Sequence, residues 1–330
     1  MPSAASGGRV LVTGSTGFLG RHLLDLLIER GYEPVCLIRP ETDVRSLDGR
    51  PVVRVEADYT DPSSLQRAVQ GVRFVFHLGA VLSARDEQAF FQGNVAATQL
   101  LAAACLNGST PPRFIYASSI AAAGPSRDGR PKREAEPCEP VSAYGRSKLL
   151  AEKALGALCP ALPLVALRLP NLLGRGQAQL RSTMSFIRRG IVPALGNGRR
   201  RTSICFAQDA ARALLLVAEH GPARGEVYYV TDGTSYSWGE LVEPLVEELA
   251  PRVLLRVPTA ALLGVAALAE AWARLRRSVP PLTIGDVRSA ASYDWVYDDS
   301  RIRGRLGWAP TVEFAPEMTR LARAFRDGRF

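Results

Sequence analysis

The sequence predicts an α/β protein in which a doubly wound parallel sheet carries a smaller mixed C-terminal lobe. Three observations predict this class. Near the start of the chain, an apolar strand runs directly into a glycine-rich turn and a helix. Counting this first strand, six apolar strand-like segments alternate with helical segments as far as about residue 170. A chain of 330 residues is also long enough to hold two lobes.

The first strand and turn, Val10–Thr13 followed by three spaced glycines, have the order of a dinucleotide-binding fingerprint. Gly14 allows the tight turn, Gly17 lets the backbone approach a pyrophosphate, and Gly20 lets the helix pack close to the strand. The helix N-terminus offers unpaired N–H groups to the anion. The alternative is an ordinary glycine turn. We expect the cofactor to contact Gly14, Thr16, Gly17, Phe18, Leu19 and Gly20.

The second and third predicted strands, residues 34–38 and 52–56, end beside the adenosine half of such a cofactor. Arg39 follows the second strand and can pair with a ribose 2′-phosphate, which selects NADP, whereas an acidic residue would select NAD. The alternative is a surface arginine. Asp58, next to Tyr59, can accept a hydrogen bond from the adenine amino group or cap a turn.

The other predicted strands, at 72–77, 114–117 and 164–169, also end in small or polar residues. Because the carboxyl ends of parallel strands meet at one edge, these residues converge on the glycine turn. His77 is expected to pack and to form hydrogen bonds rather than to act as a base. The cofactor is further expected to contact Leu78, Gly79, Ala80, Ser118, Pro170, Asn171 and Leu172.

Helices are predicted at 22–29, 62–70, 86–106, 149–158, 209–220, 238–249 and 259–276. Asp61 is a predicted N-cap, and Gly31 is predicted just past the first helix. Asn94, inside the third helix, is mildly unfavourable there and so has a predicted role of its own. The loop 124–140 is long enough to form a cover. We expect residues 1–170 with about 205–233 to bind the dinucleotide, and about 171–204 with 234–330 to form the substrate lobe.

Tyr144 and Lys148 are four residues apart and share one face of the predicted helix. Hydride transfer to a carbonyl leaves an alkoxide that needs a proton, and a phenol can supply it. Its ordinary pKa of roughly 10 is high, and a nearby ammonium lowers it. Lys148 can also hold the nicotinamide ribose. A serine hydroxyl at the end of the fifth strand can orient the carbonyl oxygen.

Taken together, these segments resemble an extended short-chain dehydrogenase/reductase of the NAD-dependent epimerase/dehydratase superfamily. The resemblance rests on Thr13-Gly14-x-x-Gly17-x-x-Gly20, Asp58, His77–Ala80, Asn94-Val95-x-x-Thr98, Ser118-Ser119, Tyr144-x-x-x-Lys148, Arg168–Asn171 and Leu306–Pro310. It implies that Ser119, or less fittingly Ser118, is the catalytic serine, that Tyr144 is the general acid/base and that Lys148 is its partner. It also implies that Asn94 supports its helix and a proton-relay water.

This sequence departs from the sugar-nucleotide dehydratases of that superfamily. Ile120-Ala121-Ala122 stands where they carry acidic residues, so no acid is present there for elimination. The family segment Val-x-Asp appears as Ala207-Gln208-Asp209. Arg39-Pro40 and the apolar region 253–272 are more similar to the dihydroflavonol-reductase and 3β-hydroxysteroid-dehydrogenase branch.

Composition narrows the choice of partners. The net charge of +9 comes mostly from scattered arginines, which predicts a solvated surface rather than a nucleic-acid site. Five widely spaced cysteines predict neither a metal site nor a disulfide framework, and they favour a reducing compartment. We expect no signal peptide, no membrane span, and a cytoplasmic homodimer.

The first functional hypothesis is an NADP-dependent reductase or alcohol dehydrogenase acting on an apolar small molecule. The alternatives are a nucleotide-sugar epimerase with tightly held NAD, and a non-catalytic cofactor-binding regulator or assembly factor. The segment Val257–Ala269 is apolar apart from Thr259, and Arg274, Arg276 and Arg277 follow it. It is predicted to be either a core helix of the small lobe or a lid over a hydrophobic pocket, and the basic end of such a lid can touch a membrane surface.

Overall fold

The structure is a computed structural model that describes residues 7–108, 110–194, 198–221, 224–253, 255–276, 278–280 and 282–330. The N-terminal residues 1–6 and Arg277, which entered the predictions above, lie outside these ranges. The strands are β1 (Arg9–Thr13), β2 (Glu33–Ile38), β3 (Val53–Glu56), β4 (Phe74–His77), β5 (Arg113–Ser119), β6 (Leu164–Leu169), β7 (Asn171–Leu173), β8 (Ile191–Ala194), β9 (Arg201–Phe206), β10 (Arg224–Tyr229), β11 (Ser235–Ser237) and β12 (Leu255–Pro258).

The helices are α1 (Phe18–Glu29), α2 (Pro62–Ala68), α3 (Glu87–Phe90), α4 (Ala97–Leu106), α5 (Ile120–Ala123), α6 (Ala143–Leu158), α7 (Ala178–Arg188), α8 (Ala207–His220), α9 (Trp238–Leu249), α10 (Thr259–Arg276), α11 (Ile284–Ser292), α12 (Ser300–Leu306) and α13 (Phe314–Arg326). A short 3₁₀ helix lies at Arg45–Leu47, and a π-helix lies at Phe91–Ala96.

The central sheet has seven parallel strands in the order β10-β6-β5-β4-β1-β2-β3. Side chains that alternate along β1 pack on opposite faces. Val10 joins a core with Leu24 of α1 and Leu214 of α8, whereas Leu11 joins a second core with Leu101 of α4 and Leu155 of α6. Helices therefore cover both faces of the sheet, and the predicted doubly wound fold is confirmed.

Two predicted helix boundaries of the first half are confirmed by their capping geometry. The Asp61 side chain caps α2 by accepting a hydrogen bond from the Ser63 N–H at 2.9 Å, and Pro62 is the first helical residue. Gly31 follows the end of α1 with φ +76°, a conformation that glycine adopts without strain. These local signals therefore set the ends of two helices as the sequence indicates.

The predicted helix 86–106 is instead divided into α3, the π-helix and α4. Asn94 lies within the π-helix, the kind of local widening that is frequent at functional sites. In the described chain, the stretch Glu87–Leu106 is the one helical stretch long and apolar enough to cross a membrane, which the sequence analysis did not expect. Here it packs against the sheet, with Leu101 and Cys105 in the core.

The smaller lobe has a core of its own, made by α7, α9 and α13. Met184, Leu245 and Leu321 are buried there together. Two small sheets flank this core: β11-β9-β7, and the parallel pair β12-β8. The predicted helices 238–249 and 259–276 match α9 and α10.

The loop 124–140, predicted to be a cover, is fixed to the C-terminal part of the chain. The Ser126 N–H donates to the Asp294 carbonyl at 2.8 Å, and the Lys132 N–H donates to the Val296 carbonyl at 2.9 Å. The buried Lys132 ammonium also donates to the Ala123 carbonyl at 2.8 Å. Asp209 similarly accepts hydrogen bonds from the backbone of residues 311–312.

Candidate active site

The glycine turn between β1 and α1 brings backbone segments into direct contact. Gly14 has φ +67°, and a Cβ there would lie 2.8 Å from the Gly79 nitrogen. A Cβ on Gly20 would lie 2.2 Å from the Gly14 oxygen, so that helix and turn pack as the fingerprint requires. Gly17 is the N-cap of α1 and offers no side-chain acceptor to the first N–H groups. Thr16, Phe18 and Leu19 complete this half-buried turn.

This geometry fits a dinucleotide. An uncapped helix N-terminus carries partial positive charge and unsatisfied donors, which suit a pyrophosphate. Leu78, Gly79 and Ala80 follow β4 beside the turn, and the Gly79 N–H donates to Thr13 Oγ1 at 2.9 Å. Across the edge, a Cβ on Gly174, just after β7, would lie 3.3 Å from the Phe18 ring. Pro170, Asn171 and Leu172 lie in this connection between β6 and Gly174.

The adenosine end of the predicted site lies at the ends of β2 and β3. Arg39 is exposed, and no described carboxylate forms an ion pair with it. Burial raises the pKa of the Tyr59 hydroxyl to about 12, while Thr13 and the Arg39 charge act in the opposite direction. Asp58 is exposed and accepts a hydrogen bond from the Thr60 N–H at 2.8 Å.

The predicted catalytic serine and tyrosine meet at the end of β5. Ser119 is the N-cap of α5, where its hydroxyl accepts the Ala121 N–H at 3.1 Å. The Tyr144 phenol is half-buried, and this burial raises its pKa to about 12, with the hydrogen bond from Ser119 acting in the opposite direction. A phenol with such a pKa keeps its proton at neutral pH. The two hydroxyls therefore lie next to each other at one point of the sheet edge.

Ser118, the alternative serine, points elsewhere. Its buried hydroxyl donates to the Glu152 carboxylate, which also receives the guanidinium of Arg168 at 2.7 and 3.0 Å. Both members of this ion pair are buried. Burial alone would lower the Arg168 pKa, but the Glu152 carboxylate more than reverses this and raises it. The geometry therefore favours Ser119 over Ser118 as the residue that contacts a substrate.

Lys148 lies one turn beyond Tyr144 but is directed inward. Its buried amine donates to the Ala117 carbonyl at 2.7 Å and lies 4.1 Å from the centre of the Tyr116 ring. Burial lowers the pKa of this amine to about 7, and the Glu152 charge partly offsets the shift. The pKa of Tyr144 thus lies above its ordinary value, opposite to the direction expected from Lys148, because burial of the phenol dominates.

Asn94 positions the helix that carries Tyr144. Its side-chain amide accepts the Val81 N–H at 2.7 Å and donates to the Val81 carbonyl at 3.0 Å. It also donates to Ser147 Oγ at 2.9 Å, and that hydroxyl donates to the Tyr144 carbonyl. Asn94 thus joins the chain after β4 to the first turn of α6. A water relay through Asn94 stays a prediction.

His77 connects the glycine turn to the Asn94 helix. The Thr98 hydroxyl donates to the Asn94 carbonyl, so it accepts from His77 Nε2–H at 2.8 Å. Nδ1 then accepts the Thr13 hydroxyl at 2.8 Å. Burial, with the Lys148 charge, lowers the His77 pKa to about 3 and keeps the ring neutral. This agrees with the hydrogen-bonding role predicted for His77.

Two residues that no motif in the sequence singles out, Glu152 and Ser147, also belong to this hydrogen-bond network. Glu152 stands four residues after Lys148, so helical spacing alone places both on one face of α6. That spacing is the signal that could have found it. Within the described ranges, no three His, Cys, Asp or Glu side chains form a group that could hold a metal ion.

Comparison with known proteins agrees with this geometry. The model of the NAD dependent epimerase/dehydratase family matches residues 10–230. A 2-alkyl-3-oxoalkanoate reductase of Stenotrophomonas maltophilia is 29% identical, covering 95% of this chain and 98% of the relative. Sterol demethylase protein B of Methylococcus capsulatus is 30% identical, and the match covers 91% of this chain and 93% of that relative.

Among solved structures, DesIV, a dTDP-glucose 4,6-dehydratase of Streptomyces venezuelae with NAD and TYD bound, superposes with a TM-score of 0.79. It covers 97% of this chain and 98% of that one at 24% identity, which establishes a shared fold. The family match spans the sheet, the glycine turn and the Tyr144 helix described above. The chain therefore belongs to the NAD-dependent epimerase/dehydratase family, within the extended short-chain dehydrogenases/reductases, and is an NAD(P)-dependent enzyme.

Proposed function

We propose that this protein is an NADP-dependent carbonyl reductase that interconverts an apolar ketone and its secondary alcohol. The observation that carries the reaction type is the pair of hydroxyls, Ser119 and Tyr144, at the sheet edge next to the glycine turn. The segment after Ser119 supports a reductase over a dehydratase. It forms the short helix α5, in which Ile120, Ala122 and Ala123 are buried, and it contains no acid.

The residues divide the chemistry as follows. A bound reduced nicotinamide supplies the hydride that the carbonyl carbon receives. Ser119 donates a hydrogen bond to the carbonyl oxygen and stabilises its developing negative charge. Tyr144, protonated at neutral pH, donates its proton to that oxygen and completes the alcohol. In the reverse direction Tyr144 accepts the proton. The predicted contact of Lys148 with the nicotinamide ribose requires its amine to turn away from the Ala117 carbonyl.

The choice of NADP rests on Arg39. Its exposed guanidinium follows β2, the position over the adenosine ribose, and it has no acidic partner in the described chain that would compete with a 2′-phosphate. The Gly14–Gly20 turn would hold the pyrophosphate through backbone N–H groups.

The apolar substrate class has two supports. The relatives named above include a reductase of 2-alkyl-3-oxoalkanoates and a sterol demethylase protein. In addition, α10 of the substrate lobe has only three charged residues among its described positions, Glu270, Arg274 and Arg276. A nucleotide sugar held against this helix would need more polar and basic groups along it.

The test follows NADPH consumption with a series of methyl ketones of increasing chain length, with a UDP-sugar as competitor. Each added methylene that is buried contributes about 0.8 kcal/mol, so kcat/KM should rise roughly fourfold per carbon until the pocket is full. Tight binding of the UDP-sugar without gain from added methylenes would favour the epimerase alternative. NADPH binding without turnover of any ketone would favour a cofactor-binding regulator.

A further inference from the structure

One face of α10 is apolar and exposed to solvent. Val265, Leu268, Trp272 and Leu275 are 56, 73, 58 and 78% exposed. Their spacing of three and four residues places them on one side of the helix, and we call this set the α10 stripe. On the opposite side, Ala266 and Ala273 are buried where α10 packs against α11. The stripe is therefore a continuous apolar surface rather than scattered exposed residues.

Charge is unevenly distributed around the α10 stripe. The single acid of the described helix, Glu270, is turned toward α11, where its carboxylate accepts the Ile284 N–H at 2.8 Å. Arg274 and Arg276 are exposed at the C-terminal end. The Arg276 guanidinium lies 4.5 Å from the centre of the Trp272 ring. An apolar face thus ends in an aromatic ring beside positive charge.

We infer that the α10 stripe docks on the surface of a lipid bilayer that contains anionic headgroups. Helices that lie in the interface combine an apolar face with arginines and a tryptophan, as this one does. The helix would lie flat, since its other side is packed against α11 and cannot turn toward lipid. Arg274 and Arg276 would contact the headgroups while the four large side chains enter the acyl boundary.

A second copy of this chain fits the α10 stripe less well. Two stripes placed against each other would bring arginines together without an exposed acid on either helix to pair with them. A standard interface also involves about 20–30 residues on each side, far more than one stripe supplies. The docking involves no residue of the sheet edge, so loss of vesicle binding and loss of turnover are separate outcomes. It shares with the proposed substrate class only the low charge of α10.

The experiment measures sedimentation of the full-length protein with vesicles of phosphatidylcholine alone or mixed equally with phosphatidylglycerol. Wild type should bind the mixed vesicles at least tenfold more strongly than vesicles of phosphatidylcholine alone. The double variant Leu268→Glu/Leu275→Glu should lose this binding by tenfold or more. The matched control is Leu82→Glu, which alters a side chain that is 72% exposed outside α10, and it should bind as wild type does.

Three further readouts keep the result specific. Trp272 fluorescence, taken as the difference between wild type and Trp272→Phe, should shift to shorter wavelength with mixed vesicles. Thermal melting should show that the double variant is folded, and Arg274→Gln/Arg276→Gln should abolish the preference for anionic vesicles. Equal vesicle binding by wild type and a folded double variant would overturn the proposal. The proposal would also be overturned if wild type does not bind vesicles and light scattering shows that the double variant forms smaller oligomers than wild type.

Discussion

A glycine at the sheet edge and a glycine in α10 have opposite surroundings. At the edge, the helical Gly20 has backbone atoms of Gly14 and Ser15 where a Cβ would stand. In α10, the helical Gly264 has open space in the same position. Around Gly20 the buried polar groups of Thr13 and His77 are paired. The comparison teaches that glycine is required where backbones touch, whereas the exposed position in α10 has room for a side chain.

The largest expected effect concerns the chemistry at the sheet edge. Tyr144→Phe should lower kcat by roughly 10²–10⁴-fold, because the proton donor is removed while the fold is unaffected. NADPH affinity should stay within about twofold of wild type. The matched control in the substrate lobe is Tyr293→Phe, an exposed tyrosine whose loss should leave turnover unchanged. Turnover in Tyr144→Phe above a tenth of wild type would remove the phenol from the mechanism.

The buried Lys148 amine should make stability depend on pH. The unfolded chain keeps this proton up to about pH 10.4, and the folded protein keeps it only to about 7. Between these values the unfolded state binds more protons, so the contribution of Lys148 to the free energy of unfolding rises with pH. Lys148→Met should remove that rise.

Urea unfolding at pH 7 and pH 9.5 checks this. From pH 7 to pH 9.5, the free energy of unfolding of wild type should increase by up to about 3 kcal/mol more than that of Lys148→Met. The difference between the two proteins isolates the amine from the tyrosines and cysteines, which titrate in both. Parallel pH profiles for the two proteins would show that the Lys148 amine is not held out of water.

Gly20→Ala should destabilise the protein by about 1–3 kcal/mol, since the new Cβ collides with backbone that has little room to move. It should also weaken NADPH binding, because the displaced turn is the one proposed to hold the pyrophosphate. Urea unfolding and a fluorescence titration measure the two effects. A Gly20→Ala protein with wild-type stability would mean that the turn is not packed as described.

Arg39→Ala should weaken NADPH binding by roughly ten- to a hundredfold and leave NADH binding unchanged. The comparison variant is Arg224→Ala, which removes an exposed arginine at the start of β10, on the opposite edge of the sheet. It should alter neither affinity at moderate salt. Equal wild-type affinities for NADPH and NADH would contradict the assignment of NADP.

The smallest effect is expected at Gly264. Gly264→Ala adds a Cβ into open space within a helix, so it should stabilise the protein by about 0.5–1 kcal/mol. Changes of opposite sign in the free energy of unfolding for Gly20→Ala and Gly264→Ala, measured in the same urea series, would sharpen the comparison. A loss of stability at Gly264 would show that α10 is more tightly packed than its exposure indicates.

Local signals in the sequence predicted the strands of the sheet, the glycine turn and the caps at Asp61 and Gly31. They failed where contacts join distant residues. Asn94, which lies in the π-helix, forms hydrogen bonds with Val81 and with Ser147, which is 53 residues away. The direction of the Lys148 amine depends on the carbonyl of Ala117. The spacing of Lys148 and Glu152 could have indicated their charge pairing. No pattern of nearby residues encodes the contacts between distant segments, so the inward direction of the Lys148 amine could not be predicted.

The anchoring of the loop 124–140 has a consequence for synthesis of the chain. Ser126 and Lys132 take their backbone partners from residues 294–298, about 165 positions later. At roughly 5–20 residues per second, the ribosome needs on the order of ten seconds or more to deliver those partners. Until then the buried Tyr297 hydroxyl cannot donate to the Ile120 and Gly124 carbonyls, which lie directly after β5. The segment that follows β5 therefore gains its final contacts only when the chain has been synthesised to about residue 298.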